Sequence, residues 1–224
     1  MNKYAQVPNV YLIDYFKQHN TKEEFDIMEV GCNAGINLKA IHEIYPKARY
    51  YGIDISREAI IQARENFPEA TFLCGDAEEL YSPEELFDYV FFPDVLEHLT
   101  QPEKVLNHFK KLLKPDGVIY ATIPNLMHWS IIGNLIKFGI FKYTETGLLD
   151  YDHKHLFTLK EIYDLFEKEC GLKIDEIMSI KINNIPEDKK EFFNTLVDLS
   201  FGNVHIDHYE TFTYMLRASK LDKE

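Results

Sequence analysis

Four acidic residues, Glu29, Asp54, Asp76 and Asp94, each fall at or just past the end of an apolar run. Two glycines, Gly31 and Gly35, follow the first of them four positions apart. Carboxylates accept hydrogen bonds from hydroxyl and ammonium groups. A turn of small residues lets bare backbone approach a ligand closely, and the unpaired amides of a following helix point at whatever lies above it. The fixed negative charge of Glu29 suits a ligand with positive groups or hydroxyls better than a naked phosphate. Three histidines could move protons near neutral pH: His98, which follows the run ending at Asp94, and His153 and His155 in the stretch DYDHKH. His153 and His155 are two apart, so an extended segment presents both on one side.

Asp94-x-x-Glu97-His98 also brings two carboxylates and an imidazole together. A hard cation would want oxygen ligands there, with a further carboxylate from elsewhere. Glu97 can equally cap or salt-bridge the adjoining helix. No metal ligand is assigned, and cation binding near Asp94, Glu97 and His98 stays open.

The elements that must position these groups alternate in type. Val10–His19 has helical spacing in Tyr11, Leu12, Tyr15 and Phe16. Phe25–Val30 reads as a first strand and Ile36–Tyr45 as a helix closed by Pro46. Ala48–Ile55 is a second strand, and Ser56 a cap for a helix through Phe67. Ala70–Cys74 is a third strand. Ser82-Pro83-Glu84-Glu85 has the form of a capping box opening a short turn. Phe87–Phe92 is a buried strand. Thr100-Gln101-Pro102-Glu103 repeats the start signal for a helix through Leu113. Val118–Ile123 is a fifth strand. Met127–Phe138 is a helix in a segment, 125–157, read as a lid. Thr158 opens a helix to Glu169, and Leu172–Lys181 and Glu210–Arg217 are the last strands, with a helical spacer near Lys189–Leu199.

This alternation predicts an α/β fold: a Rossmann-like, doubly wound, mostly parallel seven-stranded sheet with helices on both faces and a lid insertion. Ligands in such sheets sit beyond the carboxyl ends of the strands, where the four acidic residues fall. One domain is expected over 1–224, with a cofactor-binding core at 25–124, the lid at 125–157 and a C-terminal helix and strands at 158–224.

Hydrophobic residues make up 46% of the chain, ample for a core. A net charge of −13 with no dense Lys/Arg run disfavours nucleic acid. Three cysteines, Cys32, Cys74 and Cys170, form neither a disulfide framework nor a zinc pattern, which fits a cytoplasmic protein. No transmembrane segment is expected, and the Trp129–Phe141 stretch reads as packing rather than a membrane anchor, because it carries few cations.

Two cofactors suit the layout. A dinucleotide site wants a third glycine, where this chain has Ile36, with Asn33 in place of the second. No Tyr-x-x-x-Lys pair supports a dehydrogenase. S-adenosylmethionine needs acceptors for ribose hydroxyls and for an adenine amino group, which Asp54 and Asp76 can supply. The segments EVGCNAG (29–35), YGIDIS (51–56), CGDAEEL (74–80), FDYVFFPDVLEHLTQPEKVL (87–106), LLKPDGVIYATIPN (112–125) and DHKHLFTLKEIYDLFEKECGLKID (152–175) stand in one order and spacing. Together they resemble class I S-adenosylmethionine-dependent methyltransferases. The resemblance is to the small-molecule and saccharide branch that includes ubiquinone-biosynthesis O-methyltransferases. It implies that Glu29, Gly31, Asn33 and Gly35 line the methionyl portion and Asp54 takes the ribose. Ile55 would lie against the adenine, Asp76 and Ala77 would hold its edge, and Asp94 would meet the methionyl amino group. His98 and His153 are then the candidate catalytic residues, with S-adenosyl-L-homocysteine as product. The acceptor is expected to be a small molecule or saccharide, methylated at oxygen; the alternative is a non-catalytic S-adenosylmethionine-binding or partner protein. Monomer and homodimer both remain open.

Overall fold

The structure is a computed structural model and describes residues 7–79 and 86–221. The capping-box reading at Ser82–Glu85 lies outside the described residues. Among those described, seven strands form one sheet: β1 (Asp26–Val30), β2 (Arg49–Asp54), β3 (Thr71–Cys74), β4 (Phe87–Pro93), β5 (Leu113–Pro124), β6 (Leu172–Ile180) and β7 (Thr213–Lys220). Their order is β3-β2-β1-β4-β5-β7-β6. The first five are parallel, and β7 runs antiparallel to both of its neighbours.

Helices cover both faces. On one, α1 (Val10–His19), α2 (Ile36–His42) and α3 (Arg57–Asn66) bury Leu12, Phe16, Leu38, Ile41, Ile60 and Ala63 against the sheet. Asn9 caps α1 with its side chain and Ser56 caps α3, so both short polar residues divert backbone amides that a helix start leaves unpaired. On the other face, α4 (Pro102–Leu112) and α6 (Leu159–Tyr163) bury Val105, Leu106, Phe109 and Ile162. Thr158 and Glu161 form the expected capping box of α6. The helix then widens into a π-helical turn at Asp164–Glu169, where the sequence read a continuous α-helix.

The start of α4 departs from its capping-box reading. Its N-cap is Gln101, with no side-chain cap. Instead the Glu78 carboxylate accepts from the Thr100 and Gln101 amides at 2.8 and 2.7 Å. A carboxylate from the turn after β3 thus caps the helix in place of a local hydroxyl.

A small separate core joins α5 (Trp129–Phe138), α7 (Lys190–Leu199) and α8 (Ile206–Glu210) around Ile185, Phe193 and Tyr209. The sequence reads the 125–157 segment and the helical spacer near Lys189–Leu199 separately; folded, they pack together in this core. No described helix is long and apolar enough to cross a membrane.

Candidate functional site

All four acidic residues lie at the carboxyl ends of parallel strands. Glu29 is the penultimate residue of β1, Asp54 closes β2, Asp76 lies two residues past β3 and Asp94 one past β4. The turn after β1 rises between them. It takes a positive φ at every second residue: Gly31 at 68°, Asn33 at 50° and Gly35 at 72°. Asparagine tolerates the left-handed region better than most residues, which lets Asn33 stand where a glycine is usual. A side chain at Gly31 would place Cβ 2.5 Å from Cγ2 of Val95, and one at Gly35 2.7 Å from Cζ of Phe72. Neither position has room for a methyl group.

The turn is stitched to β2. The Gly31 and Cys32 amides donate to the Ile53 carbonyl at 2.8 and 3.1 Å. Asp54 accepts from the Asn33 amide through one oxygen and from the Ser56 amide through the other, both at 2.8 Å. Each carboxylate oxygen has two lone pairs, so capacity remains for hydroxyl donors. Asp76 accepts from the Glu78 amide at 2.8 Å.

Two cavities flank the turn and share Gly31, Asn33 and Asp94. The larger, about 440 Å³, is lined by Asp54, Ile55, Asp76, Ala77 and Val95, and also by His98, Asp152 and Lys154. That volume lies in the range of small-molecule sites. The smaller, about 330 Å³, is lined by Glu29, Asn37, Asp94 and residues Val7–Asn9. Glu29 is fully buried there. Its Oε1 accepts from Nδ2 of Asn37 at 2.7 Å, and its Oε2 has no partner among the described residues. Burial above all, with the nearby charge of Asp54, pushes its pKa up to about 8, against the pull of the Asn37 bond. An orphaned carboxylate oxygen on a residue that lines a cavity is an acceptor an ammonium group could use.

Beyond β4, Asp94 turns with φ at 50°, held by its amide donating to the carbonyl and hydroxyl oxygens of Thr122. The 3-10 turn Leu96–His98 follows. Against it lies the 150–155 segment, whose Lys154 and His155 amides donate to the Glu97 carbonyl at 2.8 and 3.0 Å. Asp152 and Lys154 of this segment line the large cavity, and α5 does not. The His98 and His153 rings meet edge to face, with centroids 4.7 Å apart. Burial, then the neighbouring His98, keeps the His153 pKa below the ordinary range. His155 points elsewhere and stacks on Phe157.

Glu97 differs from its sequence reading. It neither caps nor salt-bridges the next helix: it is buried, and both carboxylate oxygens lack a partner among the described residues. Sequence reasoning also missed Asn37, Val95 and Lys154. Lys154 lay inside the DHKH stretch already singled out. Asn37 and Val95 carried no signal beyond their nearness to Gly31 in space.

Residues 28–121 match the family described as "Methyltransferase domain". Over 149 residues the chain is 30% identical to trans-aconitate 2-methyltransferase of Escherichia coli O157:H7 (strain EC4115 / EHEC), covering 66% of this chain and 57% of that protein. The chain therefore spans little more than half the length of that relative. Among solved structures, the plantazolicin methyltransferase BpumL, in complex with a pentazolic desmethylPZN analog and SAH, superposes with a TM-score of 0.64 at 21% identity, covering 94% of this chain and 81% of that one. The [4+2]-cyclase SpnF superposes equally well, at 0.64 with 14% identity, 94% and 80% of the two chains. The same fold thus carries more than one chemistry, and the site must decide between them.

Proposed function

We propose that the chain, which matches a methyltransferase domain over residues 28–121 and shares the fold of solved methyltransferases, transfers a methyl group from S-adenosylmethionine to an oxygen of a small-molecule or saccharide acceptor. The observation that carries the reading is the ring of acceptors around the Gly31–Gly35 turn. Glu29 lies on one side with an unpaired oxygen, and Asp54 and Asp76 lie on the other, along one cavity.

S-adenosylmethionine, when bound, supplies a methyl group on a sulfonium that is already a good leaving group. Asp54 binds the ribose hydroxyls, its orientation fixed by the Asn33 and Ser56 amides. Asp76 and Ala77 hold the adenine edge, with Ile55 against its face. Glu29 and the backbone at Gly31, Asn33, Gly35 and Asp94 hold the methionyl end. The chain's remaining work is to position the acceptor and exclude water. His98, which lines the large cavity, accepts the acceptor's proton, and His153 packs against it. The relative named for trans-aconitate, a small organic acid, supports an acceptor of this size.

The test is a screen of candidate hydroxy- and carboxy-acceptors, read by the mass of the product and by formation of S-adenosylhomocysteine. Stoichiometric formation of one methylated product per S-adenosylhomocysteine is expected. Cofactor binding without any product across such a screen would favour a non-catalytic binding protein.

A further inference from the structure

Beside α5 lies a cavity that the cofactor does not use. α5 ends at Gly139, whose φ of 65° is left-handed, and the Gly139 and Ile140 amides donate to the Leu135 and Asn134 carbonyls at 3.0 and 3.3 Å. A left-handed residue in this place closes a helix and reverses the chain. The reversal brings Ile140 and Lys142 to the same groove as Ser130 and Asn134 of α5. A second turn follows, in which the Thr144 amide donates to the Leu149 carbonyl at 2.7 Å and the Tyr151 amide to the Thr144 carbonyl at 3.1 Å. This turn and Phe212 complete a groove of about 380 Å³. That volume is in the range of small-molecule sites.

The groove is the chemical opposite of the cofactor cavity. The latter is lined by Asp54, Asp76, Glu78, Asp94 and Asp152. The groove is lined by apolar Ile131, Ile140, Leu148, Leu149 and Phe212, and Lys142 is its one charged residue among those described. Lys142 forms no ion pair with a described residue. The local sequence agrees: residues 126–144 carry Lys137 and Lys142 and no Asp or Glu, in a chain with 37 acidic and 24 basic residues. A cation beside an apolar lining suits a ligand with an apolar body and one anionic group. Burial of the body supplies affinity, and the ion pair supplies orientation. A saccharide offers many hydroxyl groups and little apolar surface, and matches this lining poorly.

One short stretch of chain joins the groove to the cofactor cavity. Leu148 and Leu149 line the groove, and Asp152 and Lys154 line the cofactor cavity. In the same stretch, Nδ1 of His153 lies 3.2 Å from the Leu148 carbonyl, and its ring packs against His98. We propose that the groove is the acceptor's subsite and that the acceptor is an apolar hydroxy acid. Its carboxylate pairs with Lys142, its apolar body lies on Ile131, Leu148 and Phe212, and its hydroxyl reaches past the Leu148–His153 turn to His98. There the O–H proton passes to His98 as the oxygen gains the methyl group and the sulfonium leaves as a neutral thioether. The acceptor role rests on the methyltransferase reading; the class of ligand in the groove does not.

The experiment titrates octanoate into the full chain by calorimetry, beside 1-octanol and glucose, on the wild type, Lys142→Met and Asn134→Trp. One octanoate per chain is expected, with octanol about 5-fold weaker and no binding of glucose. Lys142→Met should lower octanoate affinity to that of octanol. Asn134 is exposed on α5, and a tryptophan there fills the groove and should abolish binding of both. Octanoate should also compete with the acceptor that the product screen identifies, and Lys142→Met should raise the KM of that acceptor about 5-fold. Equal wild-type affinity for octanoate and octanol, octanoate binding unchanged in both variants, or octanoate that binds without competing with the acceptor would each overturn the proposal. S-adenosylhomocysteine affinity within a few-fold of wild type reports that the variants are folded. Octanoate binding by a wild type that does not bind S-adenosylhomocysteine would support the groove's ligand class and overturn the methyltransferase reading alone.

Discussion

Glu29→Gln should stabilise the ligand-free protein while weakening its cofactor. In the folded chain the Glu29 carboxyl has its pKa pushed from 4.5 up to about 8, first by burial and then by the charge of Asp54. A folded-state pKa above the unfolded one means that the native state holds a proton the unfolded chain releases. Stability therefore falls as pH rises from about 4.5 to about 8. Each unit corresponds to about 1.36 kcal/mol. The glutamine variant, which has no charge to bury, should gain under about 1 kcal/mol at pH 5 and about 4 kcal/mol at pH 8. Urea unfolding of the two proteins at the two pH values measures this. For S-adenosylhomocysteine the sign reverses. The ammonium group loses a charged partner worth about 1.5–3 kcal/mol, or roughly 10- to 100-fold in affinity. A gain that is the same at both pH values, or a loss at pH 8, would refute the assignment of Glu29 as an ionisable group buried at cost. A gain in stability without loss of affinity would remove it from the ligand site.

Asp54→Ala removes the proposed ribose acceptor, equivalent to about two charge-assisted hydrogen bonds, and should weaken S-adenosylhomocysteine binding at least about 100-fold by calorimetry. For His98→Ala, S-adenosylhomocysteine binding should persist while turnover falls by about 100-fold or more, measured with whichever acceptor the product screen identifies. At the opposite end of the sheet, Asp88 accepts from Lys22, Lys114 and the Asp26 amide. Burial opposes its ionisation, but these donors hold its pKa below the ordinary value. Its stabilisation is present above an unfolded pKa near 3.8 and is lost as pH falls through the folded value. Asp88→Asn should thus cost about 2–3 kcal/mol at pH 7 in urea unfolding, with the difference shrinking below about pH 4 and cofactor affinity unchanged.

The parts of this chain that sequence makes legible are those governed by local physics. Val10–His19 and the Thr158 capping box were readable because spacing and caps act within a few residues. Asp54 and Asp76 were readable because strand ends in a parallel sheet share one rim. What escaped depends on residues distant in the chain. Glu78 accepts from the amides at the start of α4 from more than twenty residues away, beyond the reach of the local start signal at Thr100–Glu103. The joint cap of α5, α7 and α8 forms from two segments that show no common pattern. The π-helical turn at Asp164–Glu169 keeps the same apolar faces as an α-helix over so short a span. Glu97 was misjudged for the same reason. The segment that packs against it, whose Lys154 and His155 amides donate to its backbone carbonyl, lies more than fifty positions on.

The ligand of the ring of acceptors around Gly31–Gly35 can be measured directly. Calorimetric titration of the full chain with S-adenosylhomocysteine and, separately, with NAD puts the two cofactor readings side by side. One S-adenosylhomocysteine per chain and no NAD binding are expected. Tight NAD binding with no S-adenosylhomocysteine binding would contradict the S-adenosylmethionine assignment.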